Sequence, residues 1–345
     1  MIKEVSEAAR NPTLPRLAVI IACFNYADYV EDAIRSVLDQ NCKDCELIVV
    51  DDGSTDGSWD VIKRHPVSAY RIDNCGQRAA CFFGMTKTQA PFVLFLDADD
   101  ALCPGSLATI LAKLDDRVAK LQFPLLRTDR NGLIIGEPVP KLGAFRDTGA
   151  LAQSVLRNGT YVSPPTSGNV FRRDLSAILK GATYDRAVDG ILLFAAPFFG
   201  DVVSLSTPLG RYRVHDRNDS GLGRPLDAQI LRREIARFVN RMDHLRHVLE
   251  PLGKARELVA ADETQFFLER SFYLAVAEGR RVRPTTLWRL VKKIGASDNL
   301  LKTKLVMTIF LFLTAVLPNR QARRGLSYRL DAGKRSMSGL LRALF

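Results

Sequence analysis

Four short apolar runs, separated by stretches with helical spacing, constrain this chain more than any other feature. They are "RLAVIIACF" (16–24), "CELIVVDD" (45–52), "VSAYRI" (67–72) and "PFVLFLDADD" (91–100). Runs of this length without polar alternation read as strands buried on both faces. After the first, "ADYVEDAIRSVLDQ" carries Val30, Ile34, Val37 and Leu38 at helical spacing. A short helix is expected from Ser54 to Arg64, with Ser54 as its N-cap, and another from Cys75 to Thr88. Strands alternating with helices on a repeat of roughly thirty residues predict an α/β fold, a mostly parallel sheet covered on both faces. Crossovers in such sheets are right-handed, so the strand C-termini share one edge, and ligands bind at that edge.

Two of these strands end in acids: Asp51-Asp52, and Asp97-Ala98-Asp99-Asp100. Alternating side-chain direction turns Asp51 and Asp52 to opposite faces. One is expected to anchor the strand end and its turn, the other to read a ligand, with Gly53 supplying backbone freedom. Asp97 and Asp99 are two apart and leave the strand on one side. Paired carboxylates suit a hard divalent cation, Mg²⁺ or Mn²⁺. Carboxylates at a buried strand end are costly unless a cation or hydrogen bonds compensate. The first strand leads into "ACFNYADY", with neither GxGxxG nor GxxxxGK[ST]. This excludes the usual dinucleotide and P-loop cradles. A nucleotide diphosphate here would be neutralised by a metal instead.

After residue 104 the texture changes. "KLQFPLLRTDRNGLIIGEP" predicts two strands around an Asn131-Gly132 turn. "YVSPPTSGNVFRRD" predicts a loop entering a strand, and "DRAVDGILLFAAPFFG" a helix stopped near Pro197. "LGRYRVHDRNDSG" predicts a short strand running into a polar loop, and 225–279 is amphipathic and helical. The net charge of +11 is unevenly placed: Arg280–Phe345 holds fifteen Lys/Arg against Asp298 and Asp331, which leaves −2 for the first 279 residues. Leu305–Leu317 is a run of 13 uncharged residues flanked by Lys302, Lys304, Arg320, Arg323 and Arg324. A spanning helix needs about 20 residues. The pattern instead suits an interfacial anchor on an anionic membrane, the alternative being a helix packed on its own domain. Nucleic acid is not an expected partner, because only Tyr328 and Phe345 interleave aromatics with the basic residues beyond the apolar block. The six cysteines all lie in the first third; Cys42-Lys-Asp-Cys45 has no second CxxC or HxxxH, so free thiols of a reducing cytosol are expected. Residues 1–15 contain no apolar h-region and read as a flexible lead-in.

Taken together, "VIIACFNYADYVEDAIRSVLDQ", "ELIVVDDGSTDGS", "NCGQRAACFFGMTKTQAPFVLFLDADD" and "LGRYRVHDRNDSG" resemble the family 2 glycosyltransferases of GT-A fold, over roughly residues 16 to 220. The resemblance implies a GT-A domain over 16–224, with a nucleotide-sugar half at 16–103 and an acceptor half at 104–224. A helical, basic C-terminal region, 225–345, would follow, with the membrane-interface segment at 300–345. It implies a nucleoside-diphosphate sugar donor, a hydroxyl of a glycan or lipid-linked acceptor, inversion in one displacement, and a Mn²⁺ or Mg²⁺ cofactor. Work on the cytoplasmic side of a membrane, in cell-surface polysaccharide synthesis, goes with it.

The same resemblance assigns residues. Phe24 and Asn25 would line the nucleotide pocket, Asp52 would bond the base or ribose, and Gly76 and Arg78 would border the donor. Asp97 and Asp99 would meet the diphosphate, Asp99 through the metal. The catalytic base would be Asp189, ahead of Asp185, in "TYDRAVDGILLF". Ser167, Gly168 and Asn169 would border the acceptor. Of the four histidines, His215 stands at a strand end, where it would complete the metal shell or hold the loop. Arg211 and Arg213 would approach the diphosphate or pair with nearby acids. Two alternatives use the same residues: a nucleotidyltransferase, and a non-catalytic scaffold on a degenerate transferase fold.

Overall fold

The computed structural model describes residues 3–5, 14–182, 184, 187–215, 226–297 and 300–330, the side chains of 3–5 excepted. The chain divides into two compact units, one of 1–155 with 160–216, the other of 156–159 with 217–345.

In the first unit the elements run β1 (Lys3–Val5), β2 (Leu17–Cys23), α1 (Val30–Leu38), β3 (Cys45–Asp51), α2 (Ser58–Ile62), β4 (Ser68–Arg71), α3 (Gln77–Thr86) and β5 (Phe92–Asp97). They continue with β6 (Ala101–Leu102), α4 (Ser106–Leu111), β7 (Val118–Gln122), β8 (Leu125–Thr128), β9 (Phe145–Asp147), α5 (Ala150–Asn158), which runs on into the second unit, β10 (Asn169–Arg172), α6 (Gly190–Ala195), β11 (Asp201–Ser204) and β12 (Gly210–Arg213). The main sheet has the order β1-β4-β3-β2-β5-β10-β7-β11-β9, and a small sheet has the order β6-β12-β8. Strands β4, β3, β2 and β5 are mutually parallel, while β10 enters antiparallel to β5 and β7. The parallel β4-β3-β2-β5 core is the α/β sheet expected from the alternating runs, and the whole agrees with the GT-A fold that the resemblance implies.

The continuous apolar character of β2 has a direct cause. One face lies under Val30, Ala33, Ile34 and Val37 of α1, and α3 turns Ala80, Cys81, Gly84 and Met85 inward. Burying each larger aliphatic side chain contributes roughly 1.5–3 kcal/mol. Gly84 sets how closely α3 approaches the sheet, since a Cβ there would stand 2.7 Å from Ile20 Cγ2. Gly84→Ala is therefore expected to destabilise the protein by about 1–3 kcal/mol through overpacking, despite alanine's better helix propensity. A urea titration checks this; a midpoint equal to or above wild type would show that the contact relaxes freely.

Three local expectations differ from the structure. The helix expected from Ser54 begins at Ser58, because Ser54 Oγ accepts from the Asn25 amide (3.0 Å) and Ser58 Oγ from the Tyr26 amide (2.9 Å). Those hydroxyls join two loops instead of capping a helix. The strand pair around Asn131-Gly132 is reduced to β8 and isolated bridges to Ile134 and Val139. Asp129 Oδ1 accepts from the Asn131 and Leu133 amides and holds that segment as a turn. Within the expected lead-in, β1 pairs antiparallel with β4 as an edge strand.

The second unit is helical: α7 (Ala228–Leu249), α8 (Gln265–Ala277), α9 (Pro284–Ala296), α10 (Leu301–Val316) and α11 (Asn319–Leu330). Asp227 caps α7 by accepting from the Ile230 amide at 2.8 Å, and Thr264 caps α8 by accepting from Phe267 at 3.2 Å. Their core gathers Leu268, Phe272, Tyr273, Leu290, Ile294, Phe310, Leu311 and Leu326. Among the described residues no helix is long and apolar enough to cross a membrane.

Candidate active site

The strand register builds the site. Cys23 pairs with Asp51 and Ala22 with Asp97, so β2, β3 and β5 end together. The loops that follow lie side by side at the carboxyl edge of the parallel sheet.

Asp51 and Asp52 indeed serve different neighbours. Asp51 is fully buried and opposes Arg71 in register across β3 and β4, with Arg71 Nε 3.1 Å from its Oδ2. Burial raises its pKa, and the nearby Ser54 and the Arg71 charge act against that. Asp52, 2% exposed, faces the entry to α3. Its Oδ1 accepts from the Cys75 amide (2.8 Å) and thiol (3.3 Å), and its Oδ2 from the Gly76 amide (2.9 Å). A carboxylate has about four lone-pair sites, so Oδ2 keeps acceptor capacity. Gly53 lies at φ +71°, and a Cβ there would meet Asn74 N at 2.8 Å. The turn after the two aspartates therefore needs glycine.

Asn25 adopts φ 60°, and its Oδ1 accepts from the Thr55 (2.8 Å) and Asp56 (3.3 Å) amides. That clasp leaves Phe24 44% exposed at the sheet edge, a large apolar ring beside polar loops. Gly76 sits at φ +90°, and among the described residues nothing lies within 4 Å of where its Cβ would be. Arg78 Nη1 donates to the Leu179 carbonyl at 3.2 Å.

Beyond β5 the acids converge. Carboxylate oxygens of Asp97, Asp99 and Asp100 all lie within 4.8 Å of one another. Burial, then repulsion from neighbouring carboxylates, pushes Asp97 and Asp100 well above the ordinary carboxylate range. His215 Nε2 lies 2.9 Å from Asp99 Oδ2, and its ring stacks on Tyr29 at 5.1 Å. Three hard oxygen donors fit Mg²⁺ or Mn²⁺, and the His215 imidazole touches one of them, Asp99. Arg213 braces the group. Its amide donates to Asp100 Oδ1 (3.0 Å), its Nε to the Asp99 carbonyl (3.0 Å) and its Nη2 to Asp32 Oδ2 (2.8 Å). Of the two roles expected for Arg213, it takes that of an acid's partner. Arg211 lines a separate cavity of about 460 Å³ with Asp32, Asp39 and Asn131.

Asp189 stands at the start of α6, 7% exposed, and Thr166 Oγ1 donates to its Oδ2 at 3.2 Å. Its charge helps raise Asp97 and opposes the lowering of Lys120, so all three share one poorly solvated region. Asp185, the other candidate base, lies outside the described residues.

Several contacts escaped the sequence reading. Ser167, expected beside the acceptor, belongs to the acid cluster: it donates to Asp100 Oδ2 (2.6 Å) and accepts from the Asp97 amide (3.1 Å). Gln77 Nε2 donates to Asp97 Oδ1 at 2.6 Å. Asp100 was visible as the third acid of the run but carried no assigned role. Lys120 is fully buried; its Nζ donates to Gln122 Oε1 (2.8 Å), Tyr161 Oη (3.0 Å) and Ser163 Oγ (2.8 Å). Tyr161 in turn donates to the Leu193 carbonyl of α6 (2.6 Å). Burial lowers the Lys120 pKa strongly. In "VAKLQ" nothing marks that lysine as interior. The six cysteines are free thiols, as expected.

Comparison with known proteins gives these similarities. The family model described as Glycosyl transferase family 2 matches residues 18–133. An uncharacterized glycosyltransferase of Nostoc sp. is 33% identical over 220 residues, 59% of this chain and 66% of that protein. The GalNAc(5)-diNAcBac-PP-undecaprenol beta-1,3-glucosyltransferase of Campylobacter jejuni is 34% identical over 113 residues, 31% of this chain and 37% of that protein. The chain thus spans between about a third and two thirds of these curated relatives. Among solved structures, S. aureus TarS 1–349 in complex with UDP-GlcNAc superposes with a TM-score of 0.52, 14% identity, and coverage of 91% of this chain and 86% of that one. At that identity the likeness concerns the fold.

Proposed function

Because this chain belongs to glycosyl transferase family 2 through residues 18–133, we propose that it transfers a sugar, with inversion, from a nucleoside-diphosphate sugar to a hydroxyl of a glycan or lipid-linked glycan. The observation that carries this reading is the convergence of Asp97, Asp99, Asp100 and His215 at the carboxyl edge of the parallel sheet, with Asp189 in the same poorly solvated region.

Phe24 offers its exposed ring to the base of the nucleotide. Asn25 holds the 54–56 turn, and Asp52 receives a base or ribose hydrogen on the capacity left at Oδ2. The open space beside Gly76 admits the donor, with Arg78 at its border. Asp99 and His215 hold a divalent cation, Mn²⁺ or Mg²⁺, and Asp97 and Asp100 complete its acidic surroundings. Such a cation neutralises charge developing on a diphosphate leaving group. Asp189 takes the proton of the acceptor hydroxyl as that oxygen attacks the anomeric carbon. Thr166 holds the carboxylate in place, and the Tyr161–Leu193 bond holds the helix that carries it.

The acceptor class follows from chemistry at a membrane. The C. jejuni relative is named for an undecaprenol-linked acceptor, and the basic residues after Arg280 suit work on the cytoplasmic side of an anionic membrane. Cell-surface polysaccharide synthesis is the setting proposed. The test is a donor panel with Mn²⁺ and a polyprenyl-diphosphate-linked glycan. One donor is expected to yield nucleoside diphosphate and a product of inverted anomeric configuration by NMR. Folded protein that binds no nucleoside-diphosphate sugar by calorimetry, with Mn²⁺ present, would overturn the reading.

A further inference from the structure

Helix α10 has two apolar sides, and its own unit covers one of them. Phe310, Leu311 and Thr314 are buried in the helical core. Leu301 (82% exposed), Leu305 (59%), Ile309 (48%), Phe312 (46%) and Val316 (83%) remain outside. Their offsets of four, four, three and four residues put these five within one stripe along the helix. On the neighbouring helix, Trp288 is 65% exposed. Isolated apolar residues on a surface are ordinary, but a continuous stripe with an exposed tryptophan marks an interaction surface.

Charge identifies what covers it. From Arg280 to Leu330 there are twelve Lys/Arg and one acid, Asp298. Lys302 borders the stripe, Lys292 follows Trp288 by one helical turn, and Arg320 and Arg324 begin α11; all four are exposed. Among the described residues none of the four has an acidic partner. A second copy of this chain would bring the same positive charge to the contact and be repelled. A polynucleotide would leave the apolar stripe wet. An anionic lipid surface satisfies both features, since its phosphates meet the cations and its acyl boundary takes the stripe. At 16 residues the helix is about 24 Å long, short of the hydrocarbon thickness of about 30 Å. It would lie along the interface rather than cross it.

We infer that the outer face of α10, with Trp288, seats in the headgroup region of an anionic bilayer and holds the protein there as a peripheral membrane enzyme. This gives a residue-level basis to the membrane setting proposed above, but vesicle binding is measured without any donor or acceptor, so the two fail separately.

The experiment is flotation of the full chain with phosphatidylglycerol vesicles and with phosphatidylcholine vesicles. Wild type is expected to float with the anionic vesicles and to show a blue shift of Trp288 emission in a Trp59→Phe background. Ile309→Glu/Phe312→Glu places two carboxylates on the exposed stripe and is expected to weaken binding at least about tenfold. Lys302→Glu/Arg320→Glu/Arg324→Glu is expected to do the same through charge. Circular dichroism confirms that each variant is folded. Absence of wild-type binding to anionic vesicles overturns the inference, as does equal binding by wild type and the Ile309/Phe312 variant. A wild-type dimer in solution that the Ile309/Phe312 variant dissociates, without vesicle binding by either, would assign the stripe to a second copy instead and also overturn it.

Discussion

Asp99→Ala is expected to lower sugar transfer by at least about 10³-fold and to remove Mn²⁺-dependent nucleotide binding. Asp99 belongs to the acid cluster, with its carboxylate within reach of His215 and its carbonyl held by Arg213. Losing this side chain removes the proposed cation ligand and leaves His215 without its carboxylate. Electrostatic stabilisation of a developing leaving-group charge commonly accounts for several kcal/mol, and each 1.4 kcal/mol is a factor of ten. Stability should suffer little, because the substitution relieves repulsion among the three acids as well as removing a hydrogen bond. The measurement is paired: calorimetry of the nucleoside diphosphate with and without Mn²⁺, and turnover with saturating donor. Mn²⁺-dependent binding that survives in Asp99→Ala would move the cation away from this cluster.

Asp189→Asn should act differently. The amide keeps the size of the carboxylate and can still accept from Thr166 through its carbonyl oxygen. It cannot take a proton from an acceptor hydroxyl. General-base contributions are typically 10²–10⁴-fold, so kcat is expected to fall by about that factor with donor affinity within a few-fold of wild type. Loss of donor binding in Asp189→Asn would show that the residue holds the donor and not the attacking hydroxyl. An unchanged kcat would pass the role to another acid, and Asp185→Asn is the control that identifies it. The contrast between the two variants separates the cation's residues from the base.

The strand runs announced themselves because burial on both faces leaves a local mark. β2, β3 and β5 each read as apolar runs, and the acidic ends of β3 and β5 followed directly. The hydroxyl of Ser54 misled in a local way: it looks like a helix cap, yet it is taken by the Asn25 amide from the loop after β2. A cap and an inter-loop bond use the same oxygen, and only the neighbouring chain decides between them. Lys120 was missed for a related reason. Its three oxygen partners come from β7 and from the 161–163 segment, and no spacing rule connects them.

Sequence by itself determined the alternating elements, the carboxyl edge where ligands gather, the paired acids on it and the basic, apolar C-terminal segment. Each is written in short-range periodicity, which depends on residues only a few positions apart. Tertiary structure alone decided which distant side chains complete the site. His215 reaches Asp99, Ser167 bonds Asp100 and Arg213 pairs with Asp32 because β12 returns beside β6 and β10 inserts next to β5. It also decided which half of the apolar α10 is core and which faces outward. Those outcomes depend on how strands and helices are ordered in space, and contacts across 67 to 181 residues leave no local pattern from which to read them.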